Sequence, residues 1–410
     1  MTTKIYDNGL TLVVDSNPGL RSVTAGIMVG AGSAYETPAN NGISHFIEHM
    51  QFKGTHKRSA EEIARAFDAA GASSNAFTGK EYTCYYFKSI DEKARECFDV
   101  LADLFIHSMF DKTELDRERK VIIEEINMSR DEPDGVCYDL LYRTVYSGSL
   151  GMEIIGTKEN VSRFSLSDIS EYKQSAYVPA NTVVAFVGNI TVAQAEGLVE
   201  EYLGELVAAE YKPSPTYEKQ IFVSNNATYI HDYEQSEISI AYPGLKVGDD
   251  DTAVESALDC ILGTGMSSRL FQRIREKMGL CYSVYTSPRM GKTCGEFTVC
   301  ANVNAPNAKA CIDAINDEIA RIARDGVTQE ETDKAKMQLK VTALFGKENP
   351  MNYMLSLLRR RTLVQEDYDL DKLLSRIERV TRDDINEMAR RIFGGTPATV
   401  YVGKQTKLDF

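Results

Sequence analysis

The segment His45-Phe46-Ile47-Glu48-His49 sets two imidazoles four residues apart, with a carboxylate beside the second. On an α-helix, positions i and i+4 share one face, so both rings can address one cation while Glu48 projects next to them. Zinc suits two imidazoles and a carboxylate and keeps a fourth position for water, whose pKa it lowers toward ~7. A carboxylate near that water, but not bound to the ion, is suited to take its proton and pass it to a leaving amine. The same five residues also fit a plain helix carrying two exposed histidines, so the surroundings must decide.

Those surroundings read as alternating strands and helices. LTLVVDS and SVTAGIMVGAGS are apolar, β-branched strands, and the chain turns helical over 41–53. Residues 59–70 form an amphipathic helix, opened by Ser59 with Glu62 three positions on and closed by Gly71. Strands ASSNAFT and YTCYYFKSI follow, then helices over 92–107, 112–130 and 167–177, the strand TVVAFVGNI and the helix TVAQAEGLVEEYLGEL. Residues 207–218, with two prolines and little periodicity, read as a linker.

Beyond the linker come strands IFVSN, ATYIHDY and EISIAYPG, a helix from Asp250 and another over SSRLFQRIREK. Strands YSVYTSP and GEFTVCANV, helices 307–324, 329–344 and 382–392, and a closing strand TPATVYVG complete the chain. DKTELDRERK and TQEETDKAKM open long helices 217 residues apart. This spacing predicts a duplicated α+β unit rather than a solenoid, whose repeats are far shorter. The expected domains are 1–206, bearing the metal helix, and 219–410, a copy with no second HxxEH.

Three blocks give the sequence a family likeness. GISHFIEHMQFKGT, NAFTGKEYTCYY and ELDRERKVIIEEINMSRDEP resemble, in order, the motif blocks of the M16 metallopeptidases, a group that includes pitrilysin, insulin-degrading enzyme and the mitochondrial processing peptidase. The HxxEH order is the inverzincin pattern. The resemblance spans essentially the whole chain. It implies an α+β fold of the LuxS/MPP-like metallohydrolase type, with two homologous domains, each an antiparallel sheet with helices mainly on one face. It also implies a zinc cofactor with Glu125, 76 positions after His49, as third ligand. Glu118, two helical turns before Glu125, would support the site from behind. Without the resemblance, Glu118, Glu124 and Glu125 read as a solvated helix face, and Glu124 keeps that reading.

SSRLFQRIREKMGLCYSVYTS resembles the family's Arg/Tyr block. The implied roles of Arg275 and Tyr282 are to bind substrate carbonyls and steady an oxyanion, with a surface arginine and a half-buried tyrosine as the competing reading. Asn75 and Ala76 match the edge strand that receives the peptide as an added strand. Two departures concern subsites: Ala72 stands where a second glycine is common, and Gln51 where an apolar residue is usual. The resemblance therefore implies a zinc endopeptidase acting on peptide substrates in a dimeric clamshell. A homodimer is simplest and a heterodimer with a paralogue is the alternative. A non-catalytic scaffold subunit and a narrow maturation protease are the competing functions.

Bulk properties bound the rest. A net charge of −14 disfavours nucleic acid as a partner. No apolar run approaches the ~18–20 residues that span a bilayer, so no membrane partner is expected. The N-terminal MTTKIYDNGLTLVVD lacks a secretory pattern, so a cytoplasmic location is the expectation. The eight cysteines form no CxxC pair and lie in apolar segments, as buried thiols do. His56, His107 and His231 have no partner at ligand spacing and read as structural or surface residues.

Overall fold

The computed structural model describes residues 1–209, 220–404 and 408. Strands β1 (Thr2–Ile5), β2 (Thr11–Ser16), β3 (Ser22–Val29), β4 (Ser73–Thr78), β5 (Thr83–Ile90) and β6 (Thr182–Gly188) form one sheet in the order β1-β2-β6-β3-β5-β4. Strands β7 (Ala227–Ile230), β8 (Ser236–Gly244), β9 (Ser283–Met290), β10 (Gly295–Val303) and β11 (Ala398–Gly403) form a second, in the order β7-β11-β8-β10-β9. The α+β class holds, but each sheet is mixed rather than antiparallel: β2 runs parallel to β6, and β7 parallel to β11. The long helical excursion before β6 and β11 lets each re-enter between two earlier strands, which run opposite to each other.

The helices in chain order are α1 (Ile43–Gln51), α2 (Ala60–Ala69), α3 (Ala94–His107), α4 (Lys112–Ser129), α5 (Pro133–Val145), α6 (Lys158–Arg163), α7 (Leu166–Ala176) and α8 (Val192–Leu203). Then come α9 (Thr252–Leu262), α10 (Ala308–Asp325), α11 (Gln329–Glu348), α12 (Pro350–Val364), α13 (Leu370–Arg379) and α14 (Arg382–Phe393). None of the helices among the described residues is long and apolar enough to cross a membrane.

The first sheet is buried on both faces along its centre, which is why β3 and β6 are mostly apolar rather than alternating. Leu12, Val14, Ala25, Ile27, Val184 and Phe186 point into a core shared with α1, α3 and α8. Their alternates Val13, Met28, Val183, Ala185 and Val187 meet Tyr353, Met354, Leu357 and Leu358 of α12. Gly26 of β3 makes that approach possible: a Cβ there would stand 2.8 Å from Met354 Sδ and 3.0 Å from Leu358 Cδ1. In the second sheet Ile238, Ile240, Phe297 and Val299 pack with α9, α10 and α14, while α5 lies along β8 and β11.

Two compact units result, and their division does not follow one cut near the linker. Residues 127–151 go with the second sheet, and residues 346–368 go with the first. Of the linker expected at 207–218, residues 210–218 lie outside the described residues. IFVSN is not a strand: Phe222 makes only an isolated bridge to Tyr146. All eight cysteines are free.

Candidate metal centre

Helix α1 is placed before its side chains do anything. Its N-cap, Gly42, has φ +98° and no side chain to cap with. A Cβ at Gly42 would meet Gly156 Cα and the Ile155 carbonyl at 2.8 Å, so the turn requires glycine on two counts. The cap is supplied from outside the helix by the buried Glu36. Its Oε2 accepts from the Gly42 amide at 2.7 Å and from Asn41 Nδ2 at 2.9 Å, and its Oε1 accepts from the Ser44 amide at 2.9 Å. A carboxylate suits those orphan donors and the positive end of the helix. Ile43, Phe46, Ile47 and Met50 are then driven into the core. His45, Glu48 and His49 remain together on the half-exposed face.

Glu118 and Glu125 stand seven residues apart on α4, with the fully buried Ile122 between them anchoring that face. Glu125 Oε2 lies 3.5 Å from His49 Nε2 and 3.9 Å from His45 Nε2. Bonds of ~2.0–2.2 Å from a tetrahedral ion put neighbouring donors roughly 3.3 Å apart. Both separations exceed a good hydrogen bond. They suit donors that share a cation, and the three groups are near enough to one another to hold one. The residues present therefore fit zinc.

Electrostatics sort the remaining groups. Burial, with a smaller push from His49, holds the His45 imidazole at about 3, so its ring is neutral and offers a lone pair. Its Nδ1 is buried and makes no hydrogen bond. At His49 burial also works against charge, but the Glu118 bond and the charges of Glu125 and Glu48 outweigh it, and the net direction is up. Glu118 Oε2 sits 3.1 Å from His49 Nδ1 and Oε1 sits 2.7 Å from Lys53 Nζ. Burial opposes the Glu118 charge, yet those two partners hold its carboxyl below the usual range. Burial raises the Glu48 carboxyl, opposed by a short hydrogen bond that Thr78 Oγ1 donates to Oε2.

Asn75 and Ala76 lie on β4, the open edge of the first sheet, opposite Tyr86 and Tyr85. The Ala76 amide is covered by Asn75 Oδ1 at 2.9 Å. Arg275, on the short helix Phe271–Lys277, and Tyr282 belong to the other compact unit from the metal group. The structure brings these two together: the guanidinium lies 5.6 Å from the Tyr282 ring and 4.8 Å from Phe271. Tyr282 is 75% exposed. Glu124 is exposed. His107 pairs with Asp103 and Glu205, and His231 stacks with Tyr229 and Tyr233.

Sequence reasoning missed Glu36, Thr78 and Lys53 as parts of the site. Thr78 and Lys53 stand inside the quoted motif blocks, so proximity to the motif was an available signal. Glu36 offered none, because two of its partners are backbone amides and the third, Asn41 Nδ2, carries no spacing signature.

Comparison with known proteins bears on this geometry. Residues 11–158 match the family profile described as insulinase (peptidase family M16), and residues 163–339 match the peptidase M16 inactive domain. A Bacillus subtilis protein named as the uncharacterized zinc protease YmxG is 38% identical over 388 residues, covering 94% of each chain. A Streptomyces coelicolor protein also named as a zinc protease is 35% identical, covering 96% of this chain and 88% of its own. A protease from Helicobacter pylori superposes with a TM-score of 0.92 at 22% identity, over 98% of this chain and 99% of its own, a likeness of fold.

Proposed function

This chain belongs to peptidase family M16, and from that premise we propose that it is a zinc-dependent endopeptidase hydrolysing unfolded peptides or precursor leader segments. The observation that carries this reading is the convergence of His45 Nε2, His49 Nε2 and Glu125 Oε2, with the half-buried Glu48 beside them on α1 and outside that group. When bound, zinc supplies Lewis acidity to a water and to the scissile carbonyl.

The chain's own residues do the rest. Thr78 occupies Glu48 Oε2, so Oε1 is the oxygen left to take the proton of the attacking water and return it to the departing nitrogen. Burial strengthens that base. Glu118 accepts from His49 Nδ1 and so directs Nε2 toward the cation. The open edge of β4 at Asn75 and Ala76 receives the peptide as an added strand once the Asn75 side chain releases the Ala76 amide. Arg275 and Tyr282 offer a cation and a phenol to the carbonyl and the developing oxyanion.

Within this proposal the enzyme is a homodimeric clamshell in which Arg275 and Tyr282 of one copy serve the zinc group of the other. Two observations support that: Tyr282 is largely exposed, and no carboxylate pairs with Arg275 among the described residues. Mixing E48Q and Y282F chains should then restore part of the activity, whereas no restoration would place the whole site in one chain.

The central test is E48Q itself. It should retain zinc by elemental analysis and lose turnover of an unstructured peptide by roughly 10²–10⁴-fold, the size of a lost proton-transfer catalyst. Normal turnover in E48Q would remove the base from the scheme. Turnover by the unaltered chain that a chelator leaves untouched would remove the metal.

A further inference from the structure

Lys53 follows the metal helix by two residues, where a lysine has no evident duty. Its ammonium lies 2.7 Å from Glu118 Oε1, and the other oxygen of that carboxylate lies 3.1 Å from His49 Nδ1. The Glu118 side chain is 7% exposed and that of Lys53 29%. Among the described residues, Lys53 and His49 are the two ion-pair partners of Glu118. A glutamate has three side-chain torsions, and a buried carboxylate held at one oxygen alone keeps a choice of which oxygen to present. Holding both oxygens removes that choice.

Resting on the metal reading above, we infer that Lys53 is a positioning residue for the cation. By pinning Glu118 Oε1 it makes Oε2 the acceptor of the His49 Nδ1 proton, which leaves Nε2 as the lone-pair donor facing Glu125. The two imidazoles differ on this point. His45 has no partner at its buried Nδ1, whereas the tautomer of His49 is set by a hydrogen-bonded chain that ends on Lys53. Which ring nitrogen faces a metal is decided by what the other one bonds.

Lys53 also brings a positive charge near a cation, which opposes binding whatever Glu118 does. A double-mutant cycle separates the two effects, because the direct repulsion is the same in the Glu118 and E118Q backgrounds and cancels. The zinc dissociation constant of the full chain is measured against a chromophoric chelator for the unaltered protein, K53M, E118Q and K53M/E118Q. The expected result is that K53M weakens zinc roughly tenfold more in the Glu118 chain than in the E118Q chain, within the range seen when partners of metal-bound imidazoles are removed. K53R, which keeps a donor for Oε1, should stay close to the unaltered chain. In the metal-free protein, the ¹⁵N resonances of His49 should move from the Nδ1–H form toward a mixture in K53M.

An equal factor in both backgrounds, or an unchanged His49 tautomer, overturns the inference. Should K53M not fold, K53Q takes its place in the cycle under the same criteria. Absence of zinc binding in the unaltered chain overturns this inference together with the metal reading. Tight binding there with no coupling overturns this inference alone.

Discussion

The two sheets share one plan and differ in chemistry. Strands β2-β6-β3-β5-β4 and β7-β11-β8-β10-β9 follow the same spatial and chain order, down to one parallel pair in each. Helix α1 follows β3 as α9 follows β8, and α4 precedes Pro133 as α11 precedes Pro350, 217 residues on. At that same spacing Glu118 and Glu125 correspond to Ala335 and Thr342. The fold tolerates either set because neither glutamate supplies the apolar burial that builds the core. Ile122 does that work in α4, as Leu339 helps to do in α11.

A sharper contrast lies between two buried glutamates. Glu118 meets an ammonium and an imidazole and stays charged. Glu255 of α9 has one backbone amide, from Leu245 at 3.2 Å, and a buried Oε2 with no partner. Burial pushes its carboxyl up to about 7, with Arg391 pulling it down less and Asp259 and Glu296 adding to the rise. The same residue type is an ion-paired carboxylate in one unit and a half-satisfied core group in the other because Glu118 has an ammonium at ion-pair distance and Glu255, among the described residues, has no cation that close.

That contrast can be broken in three places. His49→Ala should cost roughly a thousandfold in zinc affinity, one ligand's share of the binding free energy of such a site, read by chelator competition. Asp259→Asn on α9 should leave zinc affinity unchanged. Loss of zinc in both variants would mean that the second unit holds ligands too. Next, Ala335→Glu should lower unfolding free energy by about 3 kcal/mol in denaturant titrations, since Ala335 is 1% exposed within the apolar core of the second unit. A stable variant would mean that a buried glutamate needs no lysine.

The smallest effect concerns pH. An acid whose folded pKa lies above its unfolded value, here about 7 against 4.5, binds a proton on folding between the two. Its contribution is therefore fully present below pH 4.5 and is lost as pH rises through 7. Glu255→Gln should remove on the order of 2 kcal/mol of that decline, seen as a flatter stability profile over this window. An identical profile in the variant would place the titration elsewhere.

Much of this was legible beforehand, for physical reasons that differ by element. The capping box at Ser59 and Glu62 is local, and α2 begins where it predicts. The convergence of His45, His49 and Glu125 could be expected only from likeness to a family, since nothing within 76 residues of chain ties Glu125 to the rings. Helices α5 and α12 were not anticipated, although Cys137, Leu140, Leu141 and Val145, and Met354, Leu357 and Leu358, recur at helical spacing. A period reveals a buried face but not which sheet will bury it. The parallel pairs escaped notice for the same reason: alternation along β2 or β7 is blind to the direction of its neighbour.

Helix α12 has a consequence for how the chain is made. The face of the first sheet lined by Val13, Met28, Val183 and Val187 is complete once β6 has been synthesised, but its cover comes from Pro350–Val364. At ribosomal speeds of ~5–20 residues per second, the 161 residues between Gly188 and Pro350 leave that surface bare for roughly 10–30 s. A nascent chain in that state is an apt client for a holdase, and its yield in a cell should follow chaperone supply more closely than the stability of the finished protein.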